Sequence, residues 1–147
     1  MDNIDLKNII WTYIRNITDN INLAVAPICD KYGLTLLQTR ILMALLKLGK
    51  CTIGTLADEV SMAGTNISTM CKKLDKKGLL VRKREIRDER VVRVALTDKG
   101  KEIALAINQE IDAKIRVILQ GESVDAVEVI IRGLMKLDDL LIKMREI

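Results

Sequence analysis

The chain has 147 residues, enough for one domain with a true core plus an element for self-association. Apolar residues make up 49% and charged residues 30%, while phenylalanine is absent and aromatics reach only 2%, which excludes disorder and implies a helical fold with an aliphatic core. Histidine is also absent, which removes imidazole acid–base chemistry and the usual zinc ligand sets.

An enzyme is a poor reading: there is no glycine-rich phosphate loop, no serine elbow and no cluster of acids at active-site spacing. No metal or cofactor is expected. Cys29, Cys51 and Cys71 are far apart and form no CxxC pair, so each reads as a small hydrophobe in a reducing compartment. The N-terminal stretch MDNIDLKNII carries acids rather than a basic leader, and no apolar run approaches the ~18 residues of a membrane span. A cytoplasmic location with no membrane partner is the expectation.

The net charge of +4 is unevenly placed. Gly64 to Arg93 holds ten Lys/Arg against four acids, a surplus of +6 that leaves the remainder slightly acidic. A basic block within an acidic body points to one polyanion-binding site.

In chain order, Asn3 to Lys31 reads as a first helix, with Ile10, Ile14, Ile17, Ile21, Val25 and Ile28 on one face. Pro27 should kink or interrupt it near its end, and Gly33 should stop it. Thr35-Leu36-Leu37-Gln38 is a capping box, so a second, leucine-rich helix follows Thr35 and halts at Gly49. Thr52 can cap a short third helix, IGTLADEV, whose Leu56 and Val60 face inward. After the Ser61–Gly64 turn a fourth helix runs to about Lys77. Ile67, Met70 or Cys71, and Leu74 form its core face, with Thr65, Asn66, Ser68, Thr69, Lys72, Lys73 and Lys76 on the remainder.

The period then changes to two. Leu79–Glu85 and Val91–Thr97 read as strands joined by a charged tip, Ile86-Arg87-Asp88-Glu89-Arg90. A tip so charged either sits idle in water or meets a partner. Thr97 and Asp98 start a fifth helix carrying Ile103, Ile107, Ile111, Ile115 and Ile118, which ends near Gly121. Ser123 caps a sixth, whose Val127, Ile130, Leu134, Leu137, Leu141 and Met144 fall at spacings of 3, 4, 3, 4, 3. That is a coiled-coil-like seam roughly 34 Å long, suited to a second copy of the chain or to the first helix of the same one. The fold expected is mainly α with a small β-wing: a winged helix-turn-helix over 35–97, flanked by a helical dimerisation region over 1–34 and 98–147.

Three segments in this order, YGLTLLQTRIL at 32–42, TLADEVSMAGTNISTMCKKLDKKGLLVRK at 55–83 and RDERVVRVALTDKG at 87–100, resemble the multiple-antibiotic-resistance-regulator (MarR) family of transcription factors. The last segment matches the family's wing, an Asp-x-Arg tip, an alternating strand and a Leu-Thr-x-x-Gly lead into the next helix. The resemblance covers nearly the whole chain. It implies a homodimer interlocked through helices 1, 5 and 6, with two winged lobes on a pseudo-palindromic operator in double-stranded DNA. It also implies a repressor released by a small-molecule effector or by oxidation.

On this reading the fourth helix lies in the major groove. Thr65, Asn66, Ser68 and Thr69 face base edges or flanking phosphates, and Asn66 is suited to bidentate reading of adenine. Lys72 and Lys73 meet phosphates. At the wing, Asp88 and Arg90 match the family's tip pair: Asp88 holds the loop or orients an arginine, Arg87 or Arg90 enters the minor groove, and Arg84 lies nearer the backbone. Many relatives carry arginine near the positions of Gly64 and Thr69, so less guanine readout is expected here. The effector crevice of relatives would be lined by aliphatics of helices 1, 2 and 5, with Trp11 and Tyr13 nearby. The reactive cysteine that peroxide-sensing relatives place early in the first helix has no counterpart. The alternative from another class is a winged-helix module that docks a protein instead of DNA.

Overall fold

A computed structural model describes residues 3–147, with side chains from Asp5 onward; Met1 and Asp2, the start of the acidic N-terminal stretch, lie outside them. The elements in order are α1 (Asn3–Lys31), α2 (Leu36–Leu48), β1 (Cys51–Thr52), α3 (Ile53–Val60), α4 (Gly64–Lys76), β2 (Leu80–Arg84), β3 (Val92–Leu96), α5 (Asp98–Leu119) and α6 (Val124–Arg145). They form two compact units, Met1–Ile111 and Asp112–Ile147. Among the described residues no helix is long and apolar enough to cross a membrane.

Local chemistry sets most boundaries. Thr35 caps α2 through a complete capping box: its hydroxyl accepts the Gln38 amide at 3.1 Å, and the Gln38 side chain accepts the Thr35 amide at 3.0 Å. The Thr52 and Ser123 hydroxyls cap α3 and α6 by accepting the Thr55 and Ala126 amides. Gly33, Gly49 and Gly78 end α1, α2 and α4 with positive φ.

Pro27 does not interrupt α1, which runs unbroken to Lys31. Proline lacks the amide that would pair with the Leu23 carbonyl, but Leu23 is exposed, which leaves that carbonyl open to solvent, and only one helical turn follows.

The sheet holds three strands rather than the expected two. It is antiparallel in the order β1-β3-β2, with Cys51 opposite Val94 and Val94 opposite Arg82. A two-residue strand is too short to leave a period in the sequence, and Thr52 serves both as its end and as the cap of α3.

The core of the first unit joins Ile41, Leu42 and Leu45 of α2 to Leu56 and Val60 of α3, Ile67, Cys71 and Leu74 of α4, Leu80 and Val94 of the sheet, and Ala104 and Ile107 of α5. Cys71, and not the half-buried Met70, is the residue α4 commits to it. Gly100 sets the closeness of this packing. A Cβ there would lie 1.8 Å from the Leu79 carbonyl oxygen. Around it, the Thr97 amide donates to that same carbonyl at 3.1 Å, and the Thr97 hydroxyl donates to the Gly78 carbonyl and accepts the Gly100 amide. The Leu-Thr-x-x-Gly segment is thus a splice of α5 onto the backbone at the head of β2.

The apolar stripes at the two ends of the chain remain open. Along α1 only Ile28 of the expected face is fully buried, while Ile14, Ile17 and Ile21 are exposed. No residue of α6 is fully buried: of its seam, Ile130, Leu134 and Met144 are 59%, 55% and 65% exposed, while Val127, Leu137 and Leu141 are half-buried.

Candidate nucleic-acid interface

The helix α4 is anchored by Ile67, Cys71 and Leu74, three buried residues at spacings of four and three. This fixes which face looks outward. Thr65, Asn66, Thr69, Lys72, Lys73 and Lys76 are all exposed on it, and Ser68 is half-buried at its edge. The Thr69 hydroxyl donates to the Thr65 carbonyl at 3.0 Å, so its remaining capacity is to accept. Ala63 at the N-cap makes no side-chain cap bond; the Asn66 amide donates to the Ala63 carbonyl at 3.1 Å, which leaves the Gly64 and Thr65 amides to water or to an anion. At the other end Lys77 donates to the Gly33 carbonyl at 2.8 Å, tying α4 to the end of α1.

The wing is internally braced. Across its base, the Glu85 amide donates to the Val91 carbonyl at 2.8 Å and the Val91 amide to the Asp88 carbonyl at 3.0 Å. Asp88 accepts both the amide of Arg90, at 3.0 Å, and its guanidinium Nε, at 3.1 Å. The Asp88 carboxyl is held below the usual carboxylate range by these two bonds from Arg90. Arg84 donates to the Glu89 carbonyl at 2.8 Å, and Arg93 pairs with Glu85. Asp88 therefore does both things asked of it: it holds the loop and orients an arginine, and that arginine is Arg90. Arg87 makes no ion pair or hydrogen bond among the described residues.

All three thiols are buried and free. Burial pushes the Cys71 thiol up to about 11 and raises that of Cys51 as well, the opposite of activation.

A groove of about 540 Å³ opens within the first unit among α1, α2, α3 and Ile111 of α5. Ile21, Val25, Met43 and Ile111 give it apolar walls. Its polar lining includes Arg40, which donates to the Val60 carbonyl at 3.0 Å, and Thr39, whose buried hydroxyl has no hydrogen-bond partner among the described residues. The expected aliphatic crevice therefore has a polar floor and an α3 wall that the sequence did not suggest. Trp11 and Tyr13 do not line it; both sit exposed on the N-terminal half of α1.

A profile of the family described as "Transcriptional regulator SarA/Rot" matches residues 24–107. The HTH-type transcriptional regulator SarZ of Staphylococcus epidermidis is 37% identical over 73 residues, 50% of this chain and 49% of that protein. The chain thus spans about half the length of the curated relatives it matches. Among solved structures, the MarR family transcription regulator SP03579 superposes with a TM-score of 0.88 at 23% identity, covering 97% of this chain and 95% of its own. FabT of Streptococcus pneumoniae, solved in complex with DNA, gives 0.77 at 22% identity over 94% and 99%. The fold is that of MarR regulators, and the matched family and relatives are transcriptional regulators, not enzymes.

Proposed function

The chain belongs to the transcriptional regulator SarA/Rot family, and on that premise we propose that it is a homodimeric repressor that binds a pseudo-palindromic operator and is released by a small ligand. The observation that carries this reading is the pairing of one exposed polar and basic helix face, on α4, with a braced basic wing on the same lobe. FabT was solved with DNA, and the shared fold supports the same class of partner here.

In this reading α4 enters the major groove. Asn66 offers a donor and an acceptor to adenine, Thr65, Ser68 and Thr69 offer hydroxyls, and Lys72 and Lys73 neutralise phosphates. The wing follows the adjacent minor groove, with Arg84 near the backbone and Arg87 and Arg90 at the tip. A second copy covers the apolar stripes of α1, α5 and α6, so that 1–34 and 98–147 act as the dimerisation region and 35–97 as the DNA-binding lobe. The groove beside Thr39 and Arg40 suits a small effector with an apolar body that packs against Ile21, Val25, Met43 and Ile111.

The test is a fluorescence-anisotropy titration against the DNA upstream of the protein's own gene, beside a scrambled duplex, at two salt concentrations. The expected result is preferential binding that weakens steeply with salt, because each neutralised phosphate releases counterions. No binding to either duplex at low salt would transfer the basic face to a protein partner.

A further inference from the structure

The wing tip carries one residue that an electrostatic account leaves unused. Ile86 is 100% exposed, in a loop otherwise made of Arg87, Asp88, Glu89 and Arg90. A single exposed isoleucine on a mobile surface would mean nothing. Here the loop is pinned on both sides by the Glu85–Val91, Val91–Asp88, Arg90–Asp88 and Arg84–Glu89 bonds. Those bonds also commit Arg84 and Arg90 within the wing. Ile86 and Arg87 are left as the pair of tip residues with no polar tie among the described residues, one apolar and one cationic.

We propose that Ile86 is the wing's apolar contact in the operator minor groove, packing on the deoxyribose walls and on the floor of an A·T step. The inference rests on the DNA-binding reading above. Its chemistry gives a sequence preference. The minor-groove floor of an A·T pair shows only the adenine N3 and thymine O2 acceptors, whereas G·C adds the guanine N2 amino donor. A branched hydrocarbon offers that amino group no acceptor and needs the space it fills, so a G·C pair beneath Ile86 strands a donor and lifts the side chain away. Apolar side chains set against minor-groove steps beside basic ones are a recurrent device of proteins that read this groove. The wing would then discriminate through Ile86 while Arg87 supplies attraction to the groove's negative potential.

The test uses the full chain and a duplex selected by it from a random library, with the step under the wing located by hydroxyl-radical protection. That step is built as A·T, as G·C and as inosine·C, which lacks the N2 amino group. Wild-type protein should bind the A·T and inosine·C duplexes alike and G·C about tenfold more weakly, and Ile86→Ala should lose about tenfold on A·T together with most of that discrimination. Ile86→Val should keep it, and because the residue is fully exposed both variants should melt as the wild type does. Specific wild-type binding with Ile86→Ala unchanged on all three duplexes overturns the inference and leaves the DNA reading standing. Failure of the wild type to select any duplex overturns both. Equal losses for Ile86→Ala on all three duplexes would overturn the proposed sequence preference, and with it the contact as stated.

Discussion

The helices α2 and α6 are written in nearly the same alphabet and end in opposite circumstances. Both begin at a hydroxyl cap and both are dense in leucine and isoleucine. In α2 the residues Ile41, Leu42 and Leu45 are almost wholly excluded from water by α3, α4 and the sheet. In α6 none is buried. A periodic apolar stripe tells that a face needs covering and is silent on what covers it. The α2 face is covered by its own chain, whereas the α6 stripe has no fully buried residue, and this is the ground for proposing that a second copy covers it.

The sharpest way to break that comparison is at Gly100. An alanine Cβ at 1.8 Å from the Leu79 carbonyl oxygen cannot be accommodated by a side-chain movement, because the obstacle is backbone. Gly100→Ala should destabilise the winged lobe by at least ~3 kcal/mol in urea unfolding, independent of protein concentration. Leu134→Asp should act in the contrary way, leaving the lobe folded and dispersing the proposed dimer. Sedimentation should then give a monomer, and operator affinity should fall by about a hundredfold as two tethered lobes become one. A stable Leu134→Asp dimer would return α6 to its own chain.

At the wing, Arg90→Ala should weaken operator binding at least about tenfold with the dimer intact. In this proposed contact, Asp88, which orients Arg90, sets the pH range. A carboxyl whose folded value is depressed below the ordinary 3.8 contributes fully above that value and loses its contribution as pH falls through the folded one. Binding should therefore show no step from this pair near neutrality, and titration of affinity between pH ~6 and ~8 checks it. A step there would mean that another group orients Arg90.

Much of this was legible beforehand, for reasons that can be named. The Thr35, Thr52 and Ser123 caps, the glycine stops, and the core face of α4 are short-range signals, each written within four residues of where it acts. The change of period at Leu79 marked the wing. What stayed hidden depends on residues distant in sequence. The strand β1 exists because Cys51 meets Val94, and Gly100 matters because Leu79 passes beneath it. The polar floor of the groove was hidden for the same reason, since Thr39 and Arg40 read as ordinary positions of a buried helix until α1 and α3 enclose them. Pro27 misled because its rule concerns helix interiors, and one turn from the end an exposed carbonyl can turn to water. At the tip, the Asp88–Arg90 pair was readable from the resemblance to the MarR wing, while the isolation of Ile86 was not.

The smallest predicted effect returns to the two caps. Thr35→Ala removes the hydroxyl that holds the Gln38 amide and should cost about 1 kcal/mol. Ser123→Ala removes the same bond, to the Ala126 amide at 3.1 Å, and should cost about 1 kcal/mol or less as well. The two losses should register in different measurements. The Thr35 variant should lower the lobe's unfolding midpoint equally at every protein concentration, since α2 is stabilised by contacts within the chain. The Ser123 variant, which loses one cap in each copy, should instead raise the proposed dimer's dissociation constant by up to about thirtyfold and shift the melting temperature most in dilute samples, as expected if folding of α6 is coupled to pairing. Identical, concentration-independent shifts for both would mean that α6 is held within its own chain after all, and the contrast between the two helices would disappear.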